Sequence, residues 1–527
     1  MTPHVTRPVD PVVADRHPTK GRRLSFAELR DLVLDTGSWQ SWDSPVERGD
    51  IEAQYAETLR RARESSRHDE SVVTGEARLR GRRVAVIAGD VSFLAGSVGV
   101  AAAKRVMAAV ERATAQRLPL LGAPVSGGTR MQEGTLAFVQ MVGIAAAIAQ
   151  HKAAGLPYLV YLRSPTFGGV LASWGSLGHI TVGEPHAAIG FLGPRVYMAL
   201  HGEPFPAGVQ TAEHMVRHGL LDGVVPPEHI AELADRTLRV LTAPRPQHPS
   251  HRFVPVENGP PDDEVDGEAV ESKSAWDVVA SSRRSDRPGI RRLLRASATD
   301  VVPLSGSGIG EREPGLVLAL ARFSGTSCVV LGQDRGAQHR IGPFGPAMLR
   351  EARRGIRLSH DLGLPLVTAI DTPGASLSAR AEEGGLAAEI ARCLHDLVTL
   401  RSPSLAVLLG PGAGGGALAF LPADRVIAAA NGWLAPLPPE GASAIVHRDL
   451  DHAPTMAQEQ GIRAIDLWRA GIVDRIVPER PDAADEPDDF CRRLGRAIGE
   501  ELTALRRRPD DERHESRWRR YRELGDA

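Results

Sequence analysis

Residues 118–128 read LPLLGAPVSGG, and residues 364–374, which begin 246 positions later, read LPLVTAIDTPG. Each stretch opens with Leu-Pro, continues as a short apolar run and ends in a turn that contains glycine. Apolar runs of this length between proline and glycine are typical of buried strands. The two stretches therefore predict the same strand and turn at two places in one chain.

Three further pairs of segments follow in the same order with a similar separation. They are 77–81 with 321–325, which are 244 residues apart, 168–172 with 415–419, which are 247 apart, and 218–222 with 470–474, which are 252 apart. Four landmarks in one order at a nearly constant separation indicate an internal duplication. We therefore expect two copies of one fold in tandem.

The first copy alternates short apolar runs with longer segments rich in alanine. The runs 84–88, 118–123 and 158–162 have the length of strands, whereas 98–115 and 136–149 carry apolar residues at helical spacing. Nearly continuous apolar strands that alternate with helices predict a parallel sheet covered by helices. The predicted fold class is α/β, with a duplicated domain.

The composition is that of a soluble protein of two domains: 527 residues, 42% hydrophobic, 24% charged and a formal net charge of -2. This balance gives no field that would attract nucleic acid or an anionic membrane. Three widely spaced cysteines, Cys328, Cys393 and Cys491, predict reduced thiols. The first thirty residues lack the apolar segment of a signal peptide, and apolar stretches are interrupted before 18 residues. We expect a cytoplasmic protein without a membrane span.

Changes in composition divide the chain into five segments. Residues 1–70 form a leader with a short helix, and 71–241 form the first repeat. Residues 242–275, rich in Pro, Asp and Glu, read as an exposed linker. Residues 276–498 form the second repeat, and 499–527 predict a charged helix at the C-terminus that is solvated rather than a binding site.

Each repeat contains two glycine-rich turns that follow apolar runs. They are 126–130 (SGGTR), 165–169 (PTFGG), 371–375 (DTPGA) and 410–417 (GPGAGGGA). Consecutive glycines let the backbone approach a ligand, and N–H groups at the start of a helix stabilise an oxyanion. A single such turn is explained by close packing alone. Matched turns in both repeats favour a binding function.

Other catalytic arrangements have little support in the sequence. Ser173 is not part of a GxSxG motif, and 410–417 lacks the lysine of a Walker A loop. His214 and His218 could share a helix face, although such a pair is more often solvated than bound to metal. The sequence thus offers backbone N–H donors without an evident side-chain nucleophile or base.

These motifs resemble those of bacterial acetyl-CoA carboxylase carboxyltransferase, with the β and α subunits joined in that order. The resemblance covers roughly 70–225 and 276–477 and rests on the segments 70–77, 93–99, 126–134 (SGGTRMQEG), 165–173 (PTFGGVLAS), 189–195, 371–375 (DTPGA), 381–383, 410–418 and 439–441. It implies two crotonase-like domains in tandem.

The resemblance also implies a reaction and its partners. A carboxyl group passes from carboxybiotin, held on a separate biotin carboxyl carrier protein and loaded by biotin carboxylase, to the α carbon of a short acyl-CoA; acetyl-CoA, giving malonyl-CoA, is the expected substrate. Negative charge develops on two carbonyl oxygens, so two oxyanion holes are needed and no base from the protein is. The family arrangement further implies a homodimer or larger assembly in which the two holes face each other between subunits.

The family's site residues are carried over position by position. The resemblance assigns the thioester oxygen to the amides of Gly168 and Gly169, and the ureido oxygen of biotin to those of Gly415, Gly416 and Ala417. The remaining predicted substrate-binding residues line the same turns: Gly127, Gly128, Arg130, Gly374, Ala375 and Gly414.

The chain departs from the family at several places. Bacterial β subunits carry a four-cysteine zinc ribbon, whereas this chain has no cysteine before Cys328, so we expect no metal. The family's Tyr-Pro-Gly is replaced at 376–378 by SLS, and the Arg after the paired glutamates 382–383 is Gly384. These changes leave open an altered substrate, an altered carrier, a weakened activity or a non-catalytic scaffold subunit. A biotin-dependent acyl-CoA decarboxylase is a further alternative, because these loops do not set the direction of the reaction. A simple hydratase or isomerase is disfavoured because it lacks the second copy.

Overall fold

The computed structural model describes residues 23–46, 51–242 and 273–524. The chain divides into two compact units, Met1–Arg239 and Val240–Ala527. Residues 1–22 of the predicted N-terminal segment and residues 243–272 of the predicted linker lie outside the described residues.

The first unit is built on a seven-stranded sheet. Its elements in chain order are α1 (Phe26–Val33), β1 (Gln40–Ser41), α2 (Ala53–Ser66), β2 (Val72–Leu79), β3 (Arg82–Gly89), α3 (Val100–Ala115), β4 (Leu120–Ala123), α4 (Gly134–Ala153), β5 (Tyr158–Leu162), β6 (Thr166–Phe167), β7 (Ile180–Gly183), β8 (Ile189–Gly190), α5 (Pro194–His201), α6 (Ala212–Arg217), β9 (Gly223–Val224) and α7 (Pro227–Leu241). The strand order is β1-β2-β3-β4-β5-β7-β9, while β6 and β8 form a separate pair. Strands β3 to β9 of the sheet run parallel, and β1 to β3 are antiparallel.

The second unit is built on an eight-stranded sheet. Its elements are α8 (Ala275–Ser282), α9 (Ile290–Ser297), β10 (Ala298–Leu304), β11 (Leu316–Phe323), β12 (Thr326–Gln333), α10 (Arg335–Ile341), α11 (Pro346–Leu362), β13 (Leu366–Thr372), α12 (Ala379–Glu383), α13 (Leu386–Val398), β14 (Ser404–Ala413), α14 (Gly414–Leu418), β15 (Arg425–Ala429), β16 (Trp433–Ala435), α15 (Pro439–Val446), α16 (Ala453–Glu459), α17 (Ala464–Arg469), β17 (Arg475–Val477), α18 (Pro487–Leu505) and α19 (Asp510–Glu523). The strand order is β10-β11-β12-β13-β14-β15-β17, and β16 pairs with β14.

The two sheets repeat the same pairings. In the first unit an antiparallel hairpin, β2–β3, continues into the parallel strands β4 and β5, and in the second unit β11–β12 continues into β13 and β14. Each sheet packs apolar side chains against helices, chiefly α3 and α4 in the first unit and α9 and α18 in the second. The predicted duplication of an α/β fold is confirmed, and each parallel sheet carries an antiparallel hairpin at one side.

The sequence predicted that no apolar stretch reaches the length of a membrane span, but the segment that contains helix α4 does reach it. By length and composition alone, the segment Met131–Ala153 could cross a membrane. One face contributes buried residues to the core of the first unit, among them Ala137, Ile144 and Ile148. The exposed apolar side chains of the segment Met131–Ala153 are Met131, Leu136, Phe138, Val139 and Val142.

The predicted charged helix at the C-terminus corresponds to the end of α18 and the whole of α19. Most residues of α19 are exposed, as its charge predicts, whereas α18 supplies a row of core residues. In α19 the side chains of Arg513 and Arg517 are fully buried. Arg517 forms an ion pair with Asp424 (2.7 Å) and donates to the carbonyl oxygens of Leu397 (2.8 Å) and Leu400 (2.7 Å). A buried guanidinium with this many partners fastens α19 to the second unit.

We expect Arg517→Ala to destabilise the second unit by about 3 kcal/mol, because it removes one of the two guanidinium partners of the buried Asp424 carboxylate and the donor to two carbonyl oxygens. Arg519→Ala is the matched control on the same helix, since Arg519 forms an exposed ion pair with Glu515, and it should cost about 0.5 kcal/mol. Urea unfolding followed by circular dichroism measures both. Equal midpoints for the two variants would contradict the docking role of α19.

Candidate active site

In the first unit the two glycine-rich turns lie side by side. The first turn follows β4 and the second contains β6. The Ser126 N–H donates to the Pro165 carbonyl (2.6 Å), and the Phe167 N–H donates to the Ser126 carbonyl (3.0 Å). A Cβ added to Gly168 would lie 3.3 Å from the Cα of Gly128, so glycine is what allows the two turns to approach this closely.

The second unit brings its two turns together in the same way. Thr372, at the end of β13, pairs in parallel with Gly412 on β14. A Cβ added to Gly416 would lie 3.4 Å from the amide nitrogen of Ala375 and would collide with the ring of Phe344. The structure therefore places Gly374 and Ala375 beside Gly414, Gly415 and Gly416, as the sequence grouped them.

The turn after the central strand is closed in both units by a hydroxyl that accepts the N–H of the glycine two residues later. The Ser126 hydroxyl accepts from the Gly128 N–H (3.0 Å) and donates to the Gly128 carbonyl (3.1 Å). The Thr372 hydroxyl accepts from the Gly374 N–H (3.1 Å), but it donates to Gln338 Oε1 (2.7 Å) and lies 3.2 Å from the Gly374 carbonyl. Both glycines have positive φ, 121° and 133°. The duplication thus extends to the local geometry of the turn.

The second turn of each unit also contains one left-handed glycine. These are Gly168 (φ 64°) and Gly414 (φ 67°), and their separation of 246 residues equals that of Ser126 and Thr372. Gly169 therefore corresponds to Gly415. The alignment of Gly168 with Gly415 that the sequence suggested is shifted by one residue.

Of the predicted donors in the first unit, Gly168 is used by the fold. Its N–H donates to the carbonyl oxygens of Phe191 (3.0 Å) and Gly190 (3.3 Å), because the parallel pairing of β6 with β8 continues through it. In the described part of the chain, the N–H groups of Gly169 and Thr129 have no acceptor. The hydroxyl of Thr129 would lie 3.1 Å from a Cβ on Gly169. Sequence reasoning missed Thr129, whose only signal is its place directly after the glycine pair.

The second unit presents the corresponding groups. In the short helix α14 the Ala413 carbonyl accepts the first intrahelical bond, from Ala417, so the Ala417 amide is not a free donor and its residue is fully buried. Among the described residues, the N–H groups of Ala375 and of Gly415, which is exposed, have no acceptor. Ala375 and Gly415 thus match Thr129 and Gly169 of the first unit.

The predicted role of Arg130 in substrate binding is not supported. Its side chain is fully buried and forms an ion pair with the buried Glu70. It also donates to the Ser97 carbonyl (2.7 Å) and lies 3.2 Å from Glu133. These partners take up the guanidinium, so Arg130 holds the turn from behind. Gly127 has a similar part, since its N–H donates to the Ala95 carbonyl (2.8 Å).

The acid at the start of the turn 371–375, Asp371, is enclosed by the protein. Asp371 is fully buried, and its carboxylate lies 3.2 Å from Arg335 Nε. A Cβ on Gly410 would lie 2.5 Å from its Oδ1. Burial raises the pKa of Asp371 to about 6, against the lowering effect of Arg335 and Arg287. Because its carboxylate has no exposed surface, Asp371 supports the turn rather than contacting a substrate.

The cysteine thiols are enclosed by the protein. Cys328, Cys393 and Cys491 are free and buried, and burial raises the thiol pKa of Cys393 and of Cys491 to about 12. Within residues 23–46, 51–242 and 273–524, no three His, Cys, Asp or Glu side chains are grouped as metal ligands.

Comparison with known proteins agrees with this geometry. Residues 16–515 match the family described as the carboxyl transferase domain. The chain is 58% identical over 504 residues, which cover 95% of this chain and 99% of the relative, to the probable biotin-dependent acyl-coenzyme A carboxylase beta3 subunit of Mycobacterium tuberculosis. It is 36% identical over 485 residues, covering 89% of this chain and 84% of the relative, to the acetyl-coenzyme A carboxylase carboxyl transferase subunits beta/alpha of Salinispora arenicola.

The fold is also found in a solved structure. The transcarboxylase 12S crystal structure, described as a hexamer with methylmalonyl-coenzyme A bound, has a TM-score of 0.72 at 22% sequence identity and covers 92% of this chain and 90% of that chain. This likeness confirms the predicted crotonase-like fold. The chain therefore belongs to the carboxyl transferase family of biotin-dependent acyl-CoA carboxylases, and it is a carboxyltransferase that uses biotin and an acyl-CoA.

Proposed function

We propose that this chain transfers a carboxyl group from carboxybiotin, held on a separate carrier protein, to the α carbon of a short acyl-CoA, with acetyl-CoA giving malonyl-CoA. The observation that carries the proposal is the matched pair of N–H groups in each unit: Thr129 with Gly169, and Ala375 with Gly415. A reaction in which two carbonyl oxygens gain charge needs two such sets of donors.

The first pair of donors serves the acyl-CoA. The N–H groups of Thr129 and Gly169 bind the thioester oxygen and stabilise the charge that it gains when the α proton leaves. One donor of this kind contributes about 2.7–4 kcal/mol to lowering the barrier. The left-handed conformation of Gly168, at φ 64°, directs the following N–H towards that oxygen.

The second pair serves biotin. The N–H groups of Ala375 and Gly415 bind the ureido oxygen and orient the ring. Carboxybiotin supplies the carboxyl group and the base, so the protein needs no ionisable side chain at the reacting atoms. The nearby acid, Asp371, is not needed as a base in this reaction. Its buried carboxylate packs against Gly410.

The residues that follow the second unit's glycine turn are apolar. Leu418, which ends α14, is partly exposed, whereas Ala419 is fully buried. We therefore propose Leu418 as the side chain that contacts the acyl chain of an acyl-CoA bound at the first pair of donors in a neighbouring copy. An apolar contact of medium size suits acetyl-CoA and somewhat longer acyl groups.

We propose that the chain works in the cytoplasm with biotin carboxylase and a biotin carrier, as a homodimer or larger assembly. Exposed apolar side chains on α4 and α5 support self-association, because several apolar residues exposed along one helix form a patch of the kind found at protein–protein interfaces. Those on α5 and just before it are Phe191, Val196, Met198 and Leu200. In the assembly that the family resemblance implies, the turns of one copy meet those of another.

The reaction itself is tested with purified chain, biotin carboxylase, biotinylated carrier, ATP and labelled bicarbonate, supplied with acetyl-, propionyl- or butyryl-CoA. We expect acid-stable label in the acyl-CoA, and highest kcat/KM for acetyl-CoA. A preference for a longer acyl-CoA would correct the substrate. The absence of label with every acyl-CoA, in the presence of carboxylated carrier, would exclude carboxyl transfer.

The first pair of donors is tested with Gly168→Ala. A side chain at φ 64° is strained and would press against Gly128, so the Gly169 N–H should move out of line and kcat should fall about 100-fold. Gly81→Ala is the matched control, because Gly81 has φ 82°, open space around it and a place in the β2–β3 hairpin. Steady-state kinetics should separate the two variants, and similar kcat values would contradict this assignment.

A further inference from the structure

The ladder between β13 and β14 is interrupted immediately before the second unit's glycine turn. Ile370 pairs with Leu408, and the next pair is Thr372 with Gly412. One residue on β13, Asp371, therefore lies opposite three residues on β14. Such irregularities redirect a strand and leave backbone groups without ladder partners.

The side chain of Gln333 bridges this interruption. Gln333 is the last residue of β12 and is fully buried. Its Oε1 accepts the N–H of Asp371 (3.1 Å), and its Nε2 donates to the carbonyl oxygen of Gly416 (2.8 Å). One amide thus joins the end of β13 to the short helix that carries the Gly415 donor.

The first unit has no counterpart to this side chain. Leu316 pairs with Gln333 in the second unit as Val72 pairs with Gly89 in the first, so the equivalent residue is a glycine. There the carbonyl that corresponds to Gly416, that of Val170, accepts the Gly175 N–H (2.9 Å) from its own segment. The first turn is held by local backbone bonds, and the second by a side chain from a neighbouring strand.

Helix α14 is held on two sides near Gly416. Gln333 Nε2 binds the carbonyl of this residue, and the ring of Phe344 fills the space where its Cβ would be. Because α14 has only five residues, its own hydrogen bonds fix its direction weakly. A tilt of this short helix would turn the Gly415 N–H away from the position beside Ala375.

We propose that Gln333 is a positioning residue for the second oxyanion hole: by holding the Gly416 carbonyl and the Asp371 N–H together, it aims the Gly415 N–H. The inference rests on the proposed function, because only that function makes the Gly415 N–H part of an oxyanion hole. The two hydrogen bonds of Gln333, which we call the Gln333 clamp, can be tested without it. Gln333 is fully buried and acts through Gly416 rather than on the substrate.

Two substitutions separate the two arms of this amide. Gln333→Met removes both hydrogen bonds at similar volume, and kcat should fall about 100-fold with an unchanged KM for the acyl-CoA. Gln333→Glu keeps an acceptor for Asp371, and its carboxyl can donate to Gly416 only when protonated. The kcat of Gln333→Glu relative to the parent should therefore fall as pH rises, whereas that of Gln333→Met should not depend on pH.

Ser402→Ala is the matched control. Ser402 lies just before β14, at the opposite end of this strand from the glycine turn. Its buried hydroxyl donates to the Ser359 carbonyl (2.9 Å). Ser402→Ala removes a buried hydrogen bond from a side chain to a backbone carbonyl, as Gln333→Met does, so it controls for general destabilisation. The kcat of Ser402→Ala should match that of the parent. Parent-like kcat in both Gln333 variants would overturn the inference, as would an equal loss in Ser402→Ala.

Hydrogen exchange measured by mass spectrometry tests the clamp independently of catalysis. In Gln333→Met, amides of residues 410–420 should exchange about tenfold faster, with residues 166–175 unchanged. If the parent shows no carboxyl transfer, the proposed function fails, and this exchange result alone decides the clamp. Unchanged exchange in residues 410–420 would overturn the inference.

Discussion

The close approach of two backbone turns, with no room for a side chain between them, is the constraint on which the site depends. N–H groups can meet a carbonyl oxygen only where the chain itself reaches the ligand. In the first unit this requires Gly168 against Gly128, and in the second it requires Gly416 against Ala375 and Phe344. The parallel strands bring the turns to one edge of each sheet, so the fold and the donors arise from the same arrangement.

The sequence contained enough information for the architecture and for the grouping of the turns. Apolar runs that end in glycine mark strands whose carboxyl ends meet at one edge, and the 246-residue separation holds for Ser126 with Thr372 and for Gly168 with Gly414. It could not show which N–H groups stay free. The Gly168 N–H donates to the segment of β8, because the pairing of β6 with β8 continues through Gly168. These two strands are too short to show a periodic pattern in the sequence.

Charged residues were the second kind of feature that sequence pattern misassigned. Arg130 lies in a glycine-rich motif and Arg517 in a highly charged helix, yet both are fully buried and paired with carboxylates. A guanidinium has five donors and can satisfy carbonyl oxygens at the ends of helices and strands while it neutralises an acid. Local sequence reports the charge but not the distant partner, here Glu70 and Asp424, which decides whether the side chain faces water or the core.

The two units show how a duplicated turn can keep its geometry while its support changes. The hydroxyls of Ser126 and Thr372 each accept the N–H of the glycine two residues later, but the carbonyl of Val170 accepts a hydrogen bond from its own segment and that of Gly416 accepts one from Gln333. A local turn depends on its own few residues, whereas a side-chain clamp ties the donor to a separate strand. The second turn is therefore sensitive to the packing of β12 and β13, and substitutions in these strands can change one hole without altering the other.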